Sequence, residues 1–475
     1  VSLRRISRKG HFMGFAKKFA ESIGGLGSEI LNEEVNRWVL YGLLDYIAVT
    51  LAGSNEPCTE IARKVFGRGS VGKSLIYGKA DRMSALDAAL VNGTASHAHD
   101  FDDMNNSMGG HPSAVLFPAI LALAEDTNAT GKEIMHAYVV GFETQARLGK
   151  AVHMHHYEKG WHPTSTMGTF GATAACCTLL KMSPVQIENA IAIAASMASG
   201  IKSNFGTMTK PLHAGLACRN GIQAACLAQA GFMGAPDAFE HSQGFFEVYN
   251  GSGTYDLKKV FDDFGDPLDI LDPGIAIKQY PCCGSTHSAA DVAIELYEDE
   301  EIPIDEIKHV DVWTHPRRLK HTNNPNPQGV LDAKFSVQYV VSRCLLEGRV
   351  ILEHFEKGAY NDPTVRLLMD RLKAAPHPEM DPESYDHFGA EVRVEKEDGT
   401  VVVRTTKAAR GRSTSDPISA EKMRAKFNTC AARVLPPERA NAVYNAIQTI
   451  EECDSIRTFS SLVENGDADL TCAAE

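Results

Sequence analysis

The chain has 475 residues, 44 % of them hydrophobic and 23 % charged, which is the balance of a folded globular protein and excludes a disordered or fibrous one. Lys and Arg total 47 against 60 Asp and Glu, a formal charge of −13. That acidity argues against a protein that grips nucleic acid or an anionic membrane through bulk charge.

No apolar run reaches the roughly 18 residues that span a bilayer. The best, 39–53, carries Asp45 and reads as a buried helix. Residues 1–12 are basic (Arg4, Arg5, Arg8, Lys9) and lack the apolar core of a secretory signal. They read first as a translated alternative start, or as a stretch before a true start at Met13, and second as the remnant of a mitochondrial presequence. The expected compartment is the cytoplasm, with the mitochondrial matrix as the eukaryotic alternative. The eleven cysteines contain two adjacent pairs, Cys176–Cys177 and Cys282–Cys283, and no CxxC. Zinc-ribbon and iron–sulfur spacings are therefore missing, and the thiols are expected to be reduced.

The first half reads as helices. Apolar positions recur at helical spacing over 28–53 and again from 83 to 99. Pro112 opens a helix to 125. Thr130 with Glu133 forms a capping box for a helix toward 152, and Ser183 with Gln186 another for 183–199. Residues 163–180 and 214–230 complete the set. Ala and Gly on several faces predict close, buried packing. Near 275 the texture changes. Residues 307–313 alternate as a strand, and 390–395 and 400–406 form a hairpin at Asp398–Gly399. Between them, 334–346 reads as a helix and 361–382 as a more polar stretch. Residues 420–434 and 438–456 are helical again. The expected fold is mainly α: a large all-α helical domain built from both chain ends, 1–276 and 409–475, with a smaller α+β domain, 277–408, inserted.

Five segments gather the residues able to do chemistry. They are HAHDFDDM (97–104) with GGHPSAVLFPA (109–119), GWHPTS (160–165), KPLHAGLACRNG (210–221), YPCCGSTH (280–287) and KFSVQY (334–339). Singly, each has a bland reading. A His before Pro commonly starts a helix, a Lys before Pro is a solvated charge, and adjacent cysteines fill a core. Together they allow two functional readings. The HxH followed by acids can chelate a metal, but a barrel that would carry such a motif on a strand end shows no βα alternation here. The other reading is acid–base chemistry without a cofactor. His, Asp, Lys and Tyr can move protons, and cationic donors suit a small polycarboxylate whose reaction builds enolate-like charge.

In this order the five segments resemble the MmgE/PrpD family over about 15–460. The resemblance implies a helical domain from both chain ends with an inserted lid, a homodimer, an active site between the domains, and no metal or organic cofactor. It implies a lyase, either dehydratase or decarboxylase, acting on a small di- or tricarboxylate such as 2-methylcitrate or cis-aconitate. The alternative is an epimerase of a small dicarboxylate. Carried over residue by residue, the candidate site residues are Asp100, His111, His162, Lys210, His287 and Tyr339. Lys210 and His162 would hold carboxylates, and His111, tuned by Asp100, would carry the proton. His287 and Tyr339 would complete the site from the lid. His97, His99 and His213 are expected to play hydrogen-bonding roles. The sequence departs from the family at Met104, where Thr is usual, and in 104–110, which is one residue longer than in the decarboxylases. Met cannot supply the hydroxyl of Thr.

Overall fold

The computed structural model describes residues 14–300, 302–356, 358–381 and 389–465. The basic stretch 1–12 lies outside them. Two compact units emerge. Of the described residues, one holds 14–98, 102–275 and 423–465, and the other 99–101 with those of 276–422.

The first unit is helical. Its helices are α1 (Phe15–Gly24), α2 (Glu33–Gly53), α3 (Pro57–Phe66), α4 (Ala85–Ser96), α5 (Ser113–Thr127), α6 (Gly131–Lys159), α7 (Pro163–Leu179), α8 (Pro184–Ala195), α9 (Thr209–Gln229) and α10 (Phe245–Tyr249). A two-stranded ribbon, β1 (Ser74–Leu75) and β2 (Arg82–Met83), lies between α3 and α4. Local sequence sets the helix ends. Asn32 caps α2 by accepting from the Val35 amide, and both expected capping boxes, Thr130/Glu133 and Ser183/Gln186, form. At the start of α1 the amides of Gly14 and Phe15 donate to Glu240 Oε1 at 2.8 and 3.1 Å. The ring of Phe15 then packs 4.9 Å from Phe239 and 5.3 Å from Phe246.

Helices α4 and α9 touch through glycines. A Cβ on Gly215 would lie 2.2 Å from the Leu90 carbonyl oxygen, and one on Gly93 would lie 2.9 Å from the Gly215 Cα. Only residues without side chains allow this approach. Helix α9 begins at Thr209, five residues before the expected 214, because Pro211 falls in the first turn, where no amide is needed. Lys210 is thereby placed on the helix.

The second unit contains α11 (His287–Glu300), β3 (Ile307–Thr314), α12 (Pro316–Thr322), α13 (Val330–Lys334), α14 (Val337–Glu347), α15 (Pro363–Asp370), β4 (Leu372–Pro376), β5 (Ala390–Lys396) and β6 (Val401–Thr406). Its sheet runs β4-β3-β5-β6, parallel between β3 and β4 and antiparallel elsewhere. The hairpin turns at Gly399 with φ +87°, a conformation glycine adopts freely. Val310, Val312, Val392 and Val394 from the sheet bury themselves with Ala289, Leu296 and Val340 from α11 and α14. Two expectations need correction. The helix expected over 334–346 is interrupted, because Ser336 leaves the helix to cap α14 at the Tyr339 amide. The polar stretch 361–382 contains α15 and the edge strand β4, whose half-exposed pattern lacks a clean alternation.

The last helices, α16 (Ala420–Ala431), α17 (Pro437–Gln448) and α18 (Ile456–Val463), bring the chain back to the first unit. Lys426 on α16 is ion-paired with Asp45 inside α2. No helix among the described residues is long and apolar enough to cross a membrane.

Candidate active site

The chemistry-bearing side chains of the first unit sit at helix ends. His97 is the residue after α4, His111 stands two before α5, His162 precedes α7, and Lys210 lies in the first turn of α9. Backbone contacts fix them. The His111 amide donates to Thr164 Oγ1 at 3.1 Å, and the His162 amide donates to the Gly200 carbonyl at 3.0 Å.

The centre of this group is Asp102. Its carboxylate accepts from His97 Nδ1 at 2.8 Å and lies 3.0 Å from His111 Nδ1. The two imidazole centroids are 4.6 Å apart, and the His162 ring lies 5.6 Å from that of His97. His162 Nδ1 stands 3.2 Å from His213 Nδ1, and the edge of Phe205 packs on His162. Burial works against the Asp102 charge, but His111 and His97 hold its carboxyl well below the usual range. Burial brings His97 down to about 4, helped by Lys210 and opposed by Asp102. Burial also pushes His162 well below its ordinary value, reinforced by His97 and Lys210. Asp102 is thus an anion beside neutral His97. With its Nδ1 on Asp102, His97 leaves an Nε2 that has no hydrogen-bond partner among the described residues.

The next acid behaves differently. Burial and the nearby Asp45 raise the Asp103 carboxyl well above its ordinary value. Asp103 accepts from the amide and hydroxyl of Ser113 at 3.1 and 2.6 Å, and its own amide donates to Asp45 at 2.9 Å. It anchors the loop that carries Asp102. The loop 104–110 is tied down in turn, because Asn105 Nδ2 donates to Asp269 Oδ1 and to the Gly274 carbonyl. The ligand atoms of His97, Asp102 and His111 lie within 4.8 Å of one another, so these residues could hold a divalent cation. A cation would have to displace the hydrogen bond that His97 Nδ1 directs at Asp102 and part the His111 Nδ1–Asp102 pair.

The second unit has its own polar cluster. Asp100 is paired with Lys278, whose Nζ stands 3.1 Å from the carboxylate and 2.7 Å from the Asp100 carbonyl. His287 opens α11, and burial and Lys278 bring it down to about 3. Burial opposes ionisation of Cys283, yet His321 brings that thiol to about 7. Tyr339 lies in the core of this unit. Its hydroxyl donates to the His354 carbonyl and accepts from Arg343 Nε at 3.1 Å.

Of the six expected site residues, His111, His162 and Lys210 share the first cluster, and Asp100 and His287 share the second. Tyr339 is bonded to other partners. The carboxylate hydrogen-bonded to the first cluster is Asp102. Asp102 and Lys278 were not among the expected residues. Three acids in four positions gave no way to tell one from another, and Lys278 stands two residues before the YPCCGSTH segment.

The chain matches the MmgE/PrpD N-terminal domain over residues 17–258 and the MmgE/PrpD C-terminal domain over 280–452. It is 30 % identical to cis-aconitate decarboxylase of Mus musculus, covering 94 % of this chain and 93 % of the relative. It is 29 % identical to the Homo sapiens cis-aconitate decarboxylase, covering 94 % of each. It is 22 % identical to 2-methylcitrate dehydratase of Escherichia coli, covering 78 % of this chain and 80 % of the relative. The chain belongs to the MmgE/PrpD family and is a lyase of that type.

Proposed function

We propose that the chain decarboxylates cis-aconitate or a close tricarboxylate, using its own side chains for the proton. The observation that carries this reading is the Asp102 carboxylate shared by His97 and His111 beside Lys210. The substrate named for the mouse and human relatives supports it. Cis-aconitate loses CO2 from its methylene carbon. The electron pair of that bond forms a new double bond, the old double bond shifts, and the former vinyl carbon takes a proton. Negative charge spreads onto the neighbouring carboxylate during the shift. Lys210 and His162 would hold that carboxylate, and a fixed cation stabilises the charge most where it develops. His111 would give the proton, with Asp102 fixing its Nδ1–H and stabilising the imidazolium.

The test is a proton NMR time course in D2O with cis-aconitate, 2-methylcitrate and iminodisuccinate as separate substrates. The expected outcome is loss of the vinyl signal of cis-aconitate, two new methylidene signals and one deuterium in the product. His111→Ala should slow this by about 10²–10⁴-fold with the fold intact. Dehydration of 2-methylcitrate in place of decarboxylation would overturn the substrate. Deuterium uptake by iminodisuccinate without net product would favour the epimerase.

A further inference from the structure

Two buried lysines of the second unit grip consecutive residues of one strained segment. Lys278 Nζ donates to the Asp100 carbonyl at 2.7 Å, and Lys334 Nζ donates to the His99 carbonyl at 2.6 Å. Each lysine is only 2 % exposed. Between the two grips, Asp100 has φ +54°, a left-handed conformation that side chains other than glycine seldom adopt. Lys334 is itself fixed from two sides. It is the last residue of α13, and its carbonyl accepts from the Cys283 amide at 3.0 Å. Two residues later Ser336 caps α14 and donates to the Asn324 carbonyl at 2.6 Å. Three of the five sequence segments, HAHDFDDM, YPCCGSTH and KFSVQY, therefore meet at this one residue, through its ammonium and its backbone carbonyl.

We infer that Lys334 is a positioning residue that sets the geometry of Asp100 through the His99 carbonyl. A buried ammonium is costly unless oxygen atoms surround it, so its place at this carbonyl is strongly specified. Without that grip, Asp100 can relax toward an ordinary backbone conformation. Its carboxylate then swings away from the position it holds against Lys278. Lys334 touches no reacting atom in this scheme, and its effect on turnover passes through Asp100. The activity part of the inference rests on the proposed function, together with the expectation that Asp100 belongs to the site.

The test is a double-mutant cycle of Lys334→Met and Asp100→Asn, read as kcat and KM on cis-aconitate. Lys334→Met should lower kcat by about 10–100-fold. Lys334→Gln, which keeps a neutral donor, should recover part of that loss. The double variant should be no slower than Asp100→Asn alone. Losses that multiply would overturn the inference, as would full turnover by Lys334→Met. If Lys334→Met does not fold, Lys334→Gln with Asp100→Asn gives the same cycle. A second readout is independent of substrate. Amide exchange at 99–103 should be faster in the Lys334 variant than in the wild type, with α14 unchanged. Equal protection would overturn the inference. A wild type inert toward tricarboxylates would sink the proposed function and leave this exchange comparison to decide.

Discussion

Asp102 and Asp103 carry the same side chain into opposite surroundings. Two imidazoles face Asp102 and hold it ionised. Burial and a second acid, Asp45, favour the neutral form of Asp103, against the Ser113 hydroxyl that donates to it. Their asparagine variants should therefore differ. In Asp102→Asn one imidazole Nδ1–H would meet an amide N–H, and the ring would turn or change tautomer. Turnover should fall by about 10²–10⁴-fold. In Asp103→Asn the amide can still accept from the Ser113 amide and can donate to its hydroxyl. Activity and melting temperature should stay near wild type. Steady-state kinetics and thermal unfolding of the two variants check this contrast. The sequence showed that an acidic cluster follows HAH, but not which acid serves which neighbour. That choice depends on α2 and α5, which approach the loop from elsewhere in the chain.

Among the elements, the α4–α9 contact depends on glycine. Gly215→Ala improves helix propensity by roughly 1 kcal/mol, yet its methyl would meet the backbone oxygen of Leu90. Backbone cannot swing aside as a flexible side chain can. Overpacking costs of about 1–3 kcal/mol should win, and the melting temperature should drop while the far-ultraviolet spectrum stays helical. Much at this scale was legible. Capping boxes, the Asp398–Gly399 hairpin and the Ala-rich buried helices all carry local signals. What escaped was set by tertiary context. Strand β4 exists because β3 offers it a parallel edge, and Ser336 breaks a helical pattern because its side chain serves the next helix. Of the site, the sequence motifs brought out His111, His162 and Lys210, which share a cluster. They also brought out Tyr339, whose hydroxyl is taken up by the His354 carbonyl and Arg343. No spacing rule reveals that partnership.

Across the whole molecule, buried histidines link stability to acidity. Burial brings His97 and His156 to about 4 and His287 to about 3, from an ordinary value near 6.5. The unfolded chain then binds more protons between those values, so each histidine contributes stability that is complete above about pH 6.5 and fades as the pH falls toward 4. Asp45 and Asp103, raised by burial, act in the opposite direction. A variant comparison isolates the histidine contribution. His156 is fully buried between Asn250 and Thr166. His156→Gln should be less stable than wild type at pH 7.5, and that gap should narrow by pH 4.5. Thermal unfolding at the two pH values reads it, and a gap that widens in acid would contradict the assignment.

The three residues His99–Phe101 also bear on how the protein is made. They leave the ribosome long before the lysines that hold them, since Asp100 and Lys278 are separated by 178 positions and His99 and Lys334 by 235. Through most of synthesis this tripeptide waits for partners that do not yet exist. A nascent chain halted before Lys278 has no ammonium group to hold Asp100 in its left-handed turn. Expressing 276–422 alone would reverse the problem, leaving two lysines without the carbonyls they grip. The second unit is therefore not a contiguous stretch that can be cut out or transplanted. Any attempt to move it between relatives has to carry the HDF segment with it.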